Sequence, residues 1–345
     1  MVISEKIPLS EAFPWASMRR QAKADLAPPT TSFEGKTVLL VGATGVILSE
    51  AARIITKLGV STLILAVRNV AKGEALADEL REERADGGGP KRTIKVLEVD
   101  LLSFDSVRQF AATINQIQTR IDSVVMGSAI MNDETRMTAD GWEETLQLTH
   151  ISSALLILLL LPKMLADGEK QTVVITSLTS SAIRSAAPMV SLPDDAKDSY
   201  MEQVSRVEDI AIQKSYQYGI AKIIHASWIR ELCHRHLPAV EGKVHFHQLD
   251  PGACFTPLSS RVFVGRLLLW FIGRPVEVCA RTVVNSCSPV EGSHGRLLVD
   301  YDVTPYPEFM EREVGLELQQ RTWSETRQIL KELVTPEAGL FLDVP

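Results

Sequence analysis

The chain is poor in cysteine, and its cysteines are far apart. The four residues Cys233, Cys254, Cys279 and Cys287 form no C-x-x-C pair in a chain of 345 residues. Disulfide frameworks and structural zinc sites need more closely grouped ligands. The sequence therefore predicts neither a disulfide nor a metal site, and it is typical of a protein in a reducing compartment.

The chain also lacks an excess of basic residues and a membrane-length apolar run. Its net charge is -7, which does not favour nucleic acid as a partner. The first residues show no basic segment followed by an apolar run and a cleavage site, so we expect a cytoplasmic protein. The apolar run at residues 151–165 is shorter than the roughly 20 residues that span a bilayer, and it predicts a buried helix.

Apolar, β-branched segments alternate with longer segments of helical periodicity. The apolar segments are KTVLLVG, TLILAV, TIKVLEV, IDSVVM, TVVITS, KVHFHQL and GRLLVD. Continuous apolar runs are typical of parallel strands that are buried on both faces, and the intervening lengths suit crossover helices. The predicted fold is a doubly wound α/β domain with a parallel sheet.

The pattern predicts one domain over residues 36–333, with an N-terminal arm at residues 1–35, a C-terminal helical extension and a tail at residues 334–345. The segment at residues 178–217 is longer than an ordinary connection, and long loops in compact domains are often lids. With residues 258–290, which we expect to form substrate-side helices, it predicts a pocket for a sizeable hydrophobic ligand.

The order of several motifs resembles the short-chain dehydrogenase/reductase family. The motifs are KTVLLVGATG, LAVRNVAKGEAL, VLEVDLLS, YGIAK and DPGACFTP. The likeness extends over about residues 35–333, and it is greatest to the long, retinol-dehydrogenase-like members of fungal secondary metabolism. The resemblance implies a Rossmann-like sheet and an active site near the YGIAK motif.

The resemblance implies that Tyr218 exchanges a proton with the substrate and that Lys222 lowers the pKa of this tyrosine. Residues four apart lie on one face of a helix, so the ammonium group can approach the phenol. The alternative is a packed tyrosine beside an exposed lysine. The pair is able to perform acid/base chemistry without hydride transfer.

Two other catalytic positions of the family are altered. The family serine falls on Leu178 and the family asparagine on Thr149. Ser177 replaces the serine if the alignment is offset by one residue. Otherwise a hydroxyl from residues 179–181 reaches the pocket. We predict Ser177 and Thr149 as catalytic residues beside Tyr218 and Lys222, with His150 as a further candidate.

The phosphate-binding loop retains Gly42 but has Val46 and Leu48 at two family glycine positions. Branched side chains there are expected to occupy the phosphate position, unless a shifted loop uses Gly45 instead. The family's Asn-Asn-Ala-Gly segment is replaced by residues 126–129. These departures predict a protein without a dinucleotide, or with NADPH if one binds.

Three residues indicate that cofactor binding is retained. Arg68 matches a basic residue that contacts the 2′-phosphate of NADP, Asp100 matches a contact to adenine, and Thr256 matches a contact to nicotinamide. Their alternative roles are a strand-end charge, a helix N-cap and a turn residue, respectively.

The leading functional hypothesis is non-redox acid/base catalysis on a hydrophobic natural-product intermediate, such as isomerisation, cyclisation, dehydration or carbon–carbon bond chemistry. The alternatives are an NADPH-dependent carbonyl reductase and a non-catalytic binding protein. A small hydrophobic substrate is the expected partner, and the family likeness allows a homodimer.

Overall fold

The computed structural model describes residues 20–21, 26–82, 92–132, 134–187, 190, 192, 199–206, 211–240, 242–254 and 273–343. Thr256 and the part of the substrate-side segment at residues 258–272 lie outside the described residues.

One eight-stranded sheet organises the protein. Its spatial order is β3-β2-β1-β4-β5-β6-β7-β8, and every neighbouring pair is parallel except β7 and β8. The strands are β1 Thr37–Val41, β2 Thr62–Val67, β3 Thr93–Glu98, β4 Ser123–Met126, β5 Val173–Leu178, β6 Val244–Asp250, β7 Arg296–Val299 and β8 Asp302–Thr304. The predicted doubly wound α/β fold is confirmed, and the strand order reverses between β1 and β4, where such sheets bind ligands.

Helices cover both faces of the sheet. The helices are α1 Val46–Lys57, α2 Val70–Glu82, α3 Phe104–Asn115, α4 Glu144–Leu146, α5 Ser152–Asp167, α6 Ala182–Ser185, α7 Tyr200–Ser205, α8 Ala211–Val240, α9 Val276–Ser286, α10 Glu313–Leu330 and α11 Pro336–Gly339. A π-helical segment, Gln147–Ile151, joins α4 to α5, and a 3₁₀ turn at Glu308–Glu311 precedes α10.

The sheet separates two hydrophobic cores. Leu39 and Val41 of β1 belong to one core, whereas Val38 and Leu40 belong to the other. Successive strand residues point to opposite faces, so both sets are buried in a sheet covered on both sides. This explains the continuous apolar sequence of the strands.

The apolar run at residues 151–165 forms most of α5, at the centre of the larger core. The continuous helical stretch Glu144–Asp167 is long and apolar enough to cross a membrane, but 83% of its most apolar window is buried inside the protein. Its composition therefore matches the interior of the fold.

Described residues of the predicted N-terminal arm and C-terminal tail contact the domain. Arg20 forms an ion pair with Asp300, and Gln21 hydrogen-bonds the backbone of Ala253 in both directions. In the predicted tail, Ala338 and Leu342 are buried in the larger core. The predicted domain limits remain a prediction.

Candidate active site

A cleft of about 740 Å³ lies at the carboxyl ends of the central strands. It begins beside β2, passes the loop between β1 and α1, and ends at Tyr218 and Lys222 of α8. Four predicted cofactor residues line it, namely Gly42, Gly45, Arg68 and Asp100. The fold thus brings these residues and the Tyr218–Lys222 pair into one site.

The loop after β1 makes a tight turn at Gly42. This residue has φ of +85°, and a Cβ atom there would lie 2.5 Å from the hydroxyl oxygen of Ser128. Only glycine satisfies both constraints. Gly45 is the N-cap of α1 with φ of -68°, a conformation open to any residue, so Gly45 does not supply a second positive φ.

Leu48 packs against Gly127 at the wall of the cleft. It is 2% exposed, and a Cβ atom on Gly127 would lie 2.4 Å from its Cδ1 and 3.2 Å from Cδ1 of Leu178. The sequence predicted that Leu48 would occupy the phosphate position. The structure shows that the missing side chain at Gly127 makes room for this leucine, and both Leu48 and Val46 line the cleft.

The first turn of α1 is open to negative charge. It contains no acidic residue, and Gly45 provides no side-chain cap for its N–H groups. Such a helix start attracts anions through its free N–H groups and its dipole. The start of α1 therefore carries no negative charge that would oppose an anion.

Positive charge collects at the β2 end of the cleft. Arg68 and Lys72 are exposed there, and within the described part of the chain neither forms an ion pair. Asn69 accepts a hydrogen bond from the backbone N–H of Lys72 at 3.0 Å. Asp100 accepts the N–H of Leu102 at 3.0 Å, and the N-cap of α3 is Ser103.

Tyr218 and Lys222 are buried at the other end of the cleft. Burial raises the pKa of Tyr218 to about 12, although hydrogen bonding by Ser180 lowers it and Asp250 raises it further. Burial lowers the pKa of Lys222 to about 8, and its Nζ donates to the carbonyl oxygen of Leu178.

The ammonium group of Lys222 lies 5.8 Å from the centre of the Tyr218 ring. The expected lowering of the tyrosine pKa by Lys222 does not appear: burial raises this pKa, and the opposing effect comes from hydrogen bonding by Ser180. At neutral pH the site holds a neutral phenol beside a largely protonated amine.

Ser177 and Leu178 point to opposite faces at the end of β5. Leu178 lines the cleft, whereas the hydroxyl of Ser177 lies 2.8 Å from Nε2 of His225 in the interior. The structure therefore places Ser177 away from the cleft. The next residue, Thr179, lines the cleft with a buried hydroxyl that has no hydrogen-bond partner among the described residues.

Thr149 and His150 lie in the π-helical segment and are fully buried. The hydroxyl of Thr149 has no partner within the described residues, and its neighbour Leu148, not Thr149, lines the cleft. Burial lowers the pKa of His150 to about 3, and its ring contacts His225 and Thr326.

Sequence reasoning did not single out His225, and it named Thr179 and Ser180 only as alternatives. His225 lies seven residues after Tyr218, two helical turns along the same face of α8, and that spacing was the available signal. Across the described ranges, no group of three His, Cys, Asp or Glu side chains is arranged to hold a metal ion.

Comparison with known proteins gives a consistent family match. The family model described as short chain dehydrogenase matches residues 36–190. The short chain dehydrogenase macD of Penicillium terrestre is 31% identical over 330 residues, which cover 93% of this chain and 98% of the relative. The short-chain dehydrogenase/reductase tropG of Talaromyces stipitatus is 30% identical, covering 91% of this chain and 97% of the relative.

Solved structures show the same fold at lower identity. An uncharacterized protein from Mycobacterium paratuberculosis superposes with a TM-score of 0.63 and 20% identity, covering 89% of this chain and 96% of that chain. The Pseudomonas aeruginosa RhlG/NADP active-site complex superposes with a TM-score of 0.56 and 17% identity, covering 79% and 96%.

Proposed function

The chain belongs to the short-chain dehydrogenase family, and on that premise we propose that it is an NADP(H)-dependent oxidoreductase. Its substrate is a carbonyl or hydroxyl group on a hydrophobic intermediate of fungal secondary metabolism. The proposal rests on one observation above all: a single cleft joins the cations Arg68 and Lys72 to the pair Tyr218 and Lys222.

The residues along the cleft fit such a cofactor. Arg68 and Lys72 would hold the 2′-phosphate, since guanidinium and ammonium groups form strong charge-assisted hydrogen bonds with phosphate. The first turn of α1 and the tight turn at Gly42 would hold the pyrophosphate. Asp100 has a second carboxylate oxygen to accept a hydrogen bond from adenine.

The chemistry of the chain itself suits the reductive direction. When bound, NADPH supplies a hydride. The raised pKa of Tyr218 keeps its phenol protonated, so Tyr218 gives its proton to the carbonyl oxygen of the substrate. Lys222 then stabilises the resulting phenolate through its positive charge.

Thr179 is the proposed hydrogen-bond donor to the substrate oxygen. The family serine is replaced by Leu178, whose side chain has no donor. Thr179 lies on the same cleft, and its hydroxyl has no partner among the described residues. A donor at this point orients the carbonyl and stabilises the developing negative charge.

The substrate class follows from the apolar wall at the Tyr218 end. Ile130, Met131, Leu148 and Leu178 line the cleft that contains Tyr218. Pockets with apolar walls and few polar anchors suit hydrophobic ligands. The fungal relatives that are named as short chain dehydrogenases support assignment to the same broad chemistry.

Cofactor-free acid/base catalysis is the second candidate. It is favoured by Leu48 and Leu178, which place apolar surface where the family has glycine and serine. In that case Tyr218 and Lys222 would transfer protons on a substrate that occupies the cleft without a nucleotide. The two candidates differ in whether NADPH binds.

Fluorescence titration with NADPH and NADH tests the proposal. We expect saturable NADPH binding, and roughly a 10- to 100-fold loss in the double variant Arg68→Ala/Lys72→Ala, because each lost contact involves a charged group. NADH binding should change little. Lys57→Ala, an exposed cation at the far end of α1, is the matched control. No saturable NADPH binding at millimolar concentrations would favour the second candidate.

A further inference from the structure

A chain of buried polar side chains lies behind the catalytic pair. The hydroxyl of Ser177 is 2.8 Å from Nε2 of His225, and Nδ1 of His225 is 3.4 Å from Nδ1 of His150. Nε2 of His150 is 2.8 Å from the hydroxyl of Thr326, which donates to the carbonyl oxygen of Thr322 at 2.6 Å. These side-chain hydrogen bonds therefore connect β5, α8, the π-helical segment and α10.

The hydrogen bond that Thr326 donates to Thr322 fixes the position of every other proton in this row of hydrogen-bonded side chains. Thr326 uses its proton on Thr322, so it accepts from Nε2–H of His150. Nδ1 of His150 is then an acceptor, which requires Nδ1–H on His225. Nε2 of His225 accepts in turn from the hydroxyl of Ser177.

Burial of His150 and His225 favours the neutral form of each imidazole ring, which carries one proton. It lowers the pKa of His150 to about 3 and that of His225 well below its usual value, with further lowering of the latter by His150 and Lys222. Both histidines are neutral at physiological pH. The indole of Trp228 stacks on His225 at 6.0 Å between ring centres and limits its rotation.

This row of hydrogen-bonded side chains reaches the active site at the end of β5. Ser177 binds His225 through its side chain, and the adjacent Leu178 accepts Lys222 through its carbonyl oxygen. His225 and Lys222 are three residues apart on α8. Two successive polar contacts therefore join the end of β5 to the helix that carries the catalytic pair.

We propose that His225, oriented by His150 and bonded to Ser177, is a positioning residue that holds the Leu178 carbonyl where Lys222 needs it. The catalytic consequence rests on the proposed oxidoreductase function. The hydrogen-bond arrangement itself does not depend on that function. Ser177 then acts through His225 and does not contact the substrate.

The pH profile of the variant His225→Phe tests the positioning role. Wild-type kcat/KM for reduction should fall above about pH 8, where Lys222 loses its charge. In the variant we expect this limb to move by at least half a pH unit, and kcat to fall on the order of 10- to 100-fold, as expected for a misplaced catalytic group.

His236→Phe is the matched control, because His236 is also buried on α8 and contacts the carbonyl oxygen of Phe341 at 2.6 Å. It should lower stability without moving the alkaline limb. Ser177→Ala breaks the same contact with less risk to folding, and the double variant with His225→Phe should be no worse than the poorer single variant. An unmoved limb in both His225→Phe and Ser177→Ala overturns the positioning role.

Nitrogen-15 NMR of histidine-labelled protein provides a readout that needs no activity. We expect Nδ1–H on His225 and Nε2–H on His150, with both rings neutral at pH 6. The opposite tautomers or a charged ring overturn the arrangement. The expected tautomers in a protein that binds no NADPH would instead leave the arrangement intact and contradict only the oxidoreductase function.

Discussion

At the scale of single residues, a larger side chain in the altered loop is accommodated by a smaller one at the position that it contacts. Leu48 stands where the family has glycine, and Gly127 stands where the family has asparagine. The two positions meet, since a Cβ atom at Gly127 would overlap Cδ1 of Leu48. Loss of a glycine in the sequence therefore does not by itself close the cleft.

Gly127→Ala should destabilise the protein by about 1–3 kcal/mol, because the new methyl group overpacks the contact with Leu48. Urea unfolding measures the change. The double variant with Leu48→Ala should recover part of this loss. Gly339→Ala is the control, because the nearest atom to its Cβ would be 3.8 Å away. Equal effects at both glycines would contradict the packing argument.

Thr179→Val should reduce kcat/KM for carbonyl reduction about 100-fold, corresponding to the loss of one oxyanion hydrogen bond of about 3 kcal/mol. Thr179→Ser keeps the hydroxyl and should retain most activity. Steady-state kinetics at saturating NADPH measure the effect. A fully active valine variant would show that another group binds the substrate oxygen.

At the scale of elements, α8 and β5 form the active site together. The strand end supplies Leu178 and Thr179 to the cleft, and α8 supplies Tyr218 and Lys222. The same two elements carry Ser177 and His225, which are buried behind the cleft. Polar groups buried among helices and strands need partners in a fixed arrangement, so this region should be sensitive to protonation.

Acid should destabilise the protein through its buried histidines. His150 and His247 have folded-state pKa values lowered to about 3. Between about pH 6.5 and 3, these two imidazole rings therefore take up a second proton in the unfolded state but not in the folded state. Stability is therefore lost as the pH falls below 6.5, by about 1 kcal/mol per histidine at pH 5.5.

Urea unfolding of wild type and His247→Gln at pH 7.5 and 5.5 isolates one of these contributions. The variant should lose less stability on acidification than the wild type. Identical pH dependence in the two proteins would show that His247 does not contribute.

At the scale of the whole molecule, Gln21 of the N-terminal arm is bound to the loop after β6. Gln21 donates to the carbonyl oxygen of Ala253 at 2.6 Å and accepts its N–H at 3.1 Å. Arg274 and Arg20 both bind Asp300 beside this contact. Pro251 of the same loop lines the cleft, so the arm supports one wall of the site.

Gln21→Ala should cost about 1–3 kcal/mol, since it removes two hydrogen bonds, and the N–H of Ala253 loses its Gln21 acceptor while the Ala253 carbonyl keeps the N–H of Arg274. The looser loop should also raise the KM for substrate. Thermal unfolding and steady-state kinetics measure the two effects. Arg53→Ala, which removes two surface ion pairs away from the arm, with Glu50 and Glu79, should change stability by less than about 1 kcal/mol and leave KM unchanged.

The sequence alone determined the fold and the family. Strands that are buried on both faces need apolar residues at successive positions, so they are visible in the sequence as continuous apolar runs. It also identified Tyr218, Lys222, Arg68 and Asp100, which the fold brings to one cleft. The motif alignment did not show which face of the sheet the Ser177 side chain occupies, because a shift of one residue along a strand moves a side chain to the opposite face.

Only the tertiary structure decided three properties of the site. It set the direction of the Tyr218 pKa shift, because the burial that raises this pKa exists only once the surrounding elements have packed together. It paired Leu48 with Gly127, although three crossover helices and the strands β2, β3 and β4 lie along the chain between the start of α1 and Gly127. It also joined His150 and His225 behind the cleft. Each property depends on contacts between residues far apart in the sequence, whereas strand and helix patterns are local.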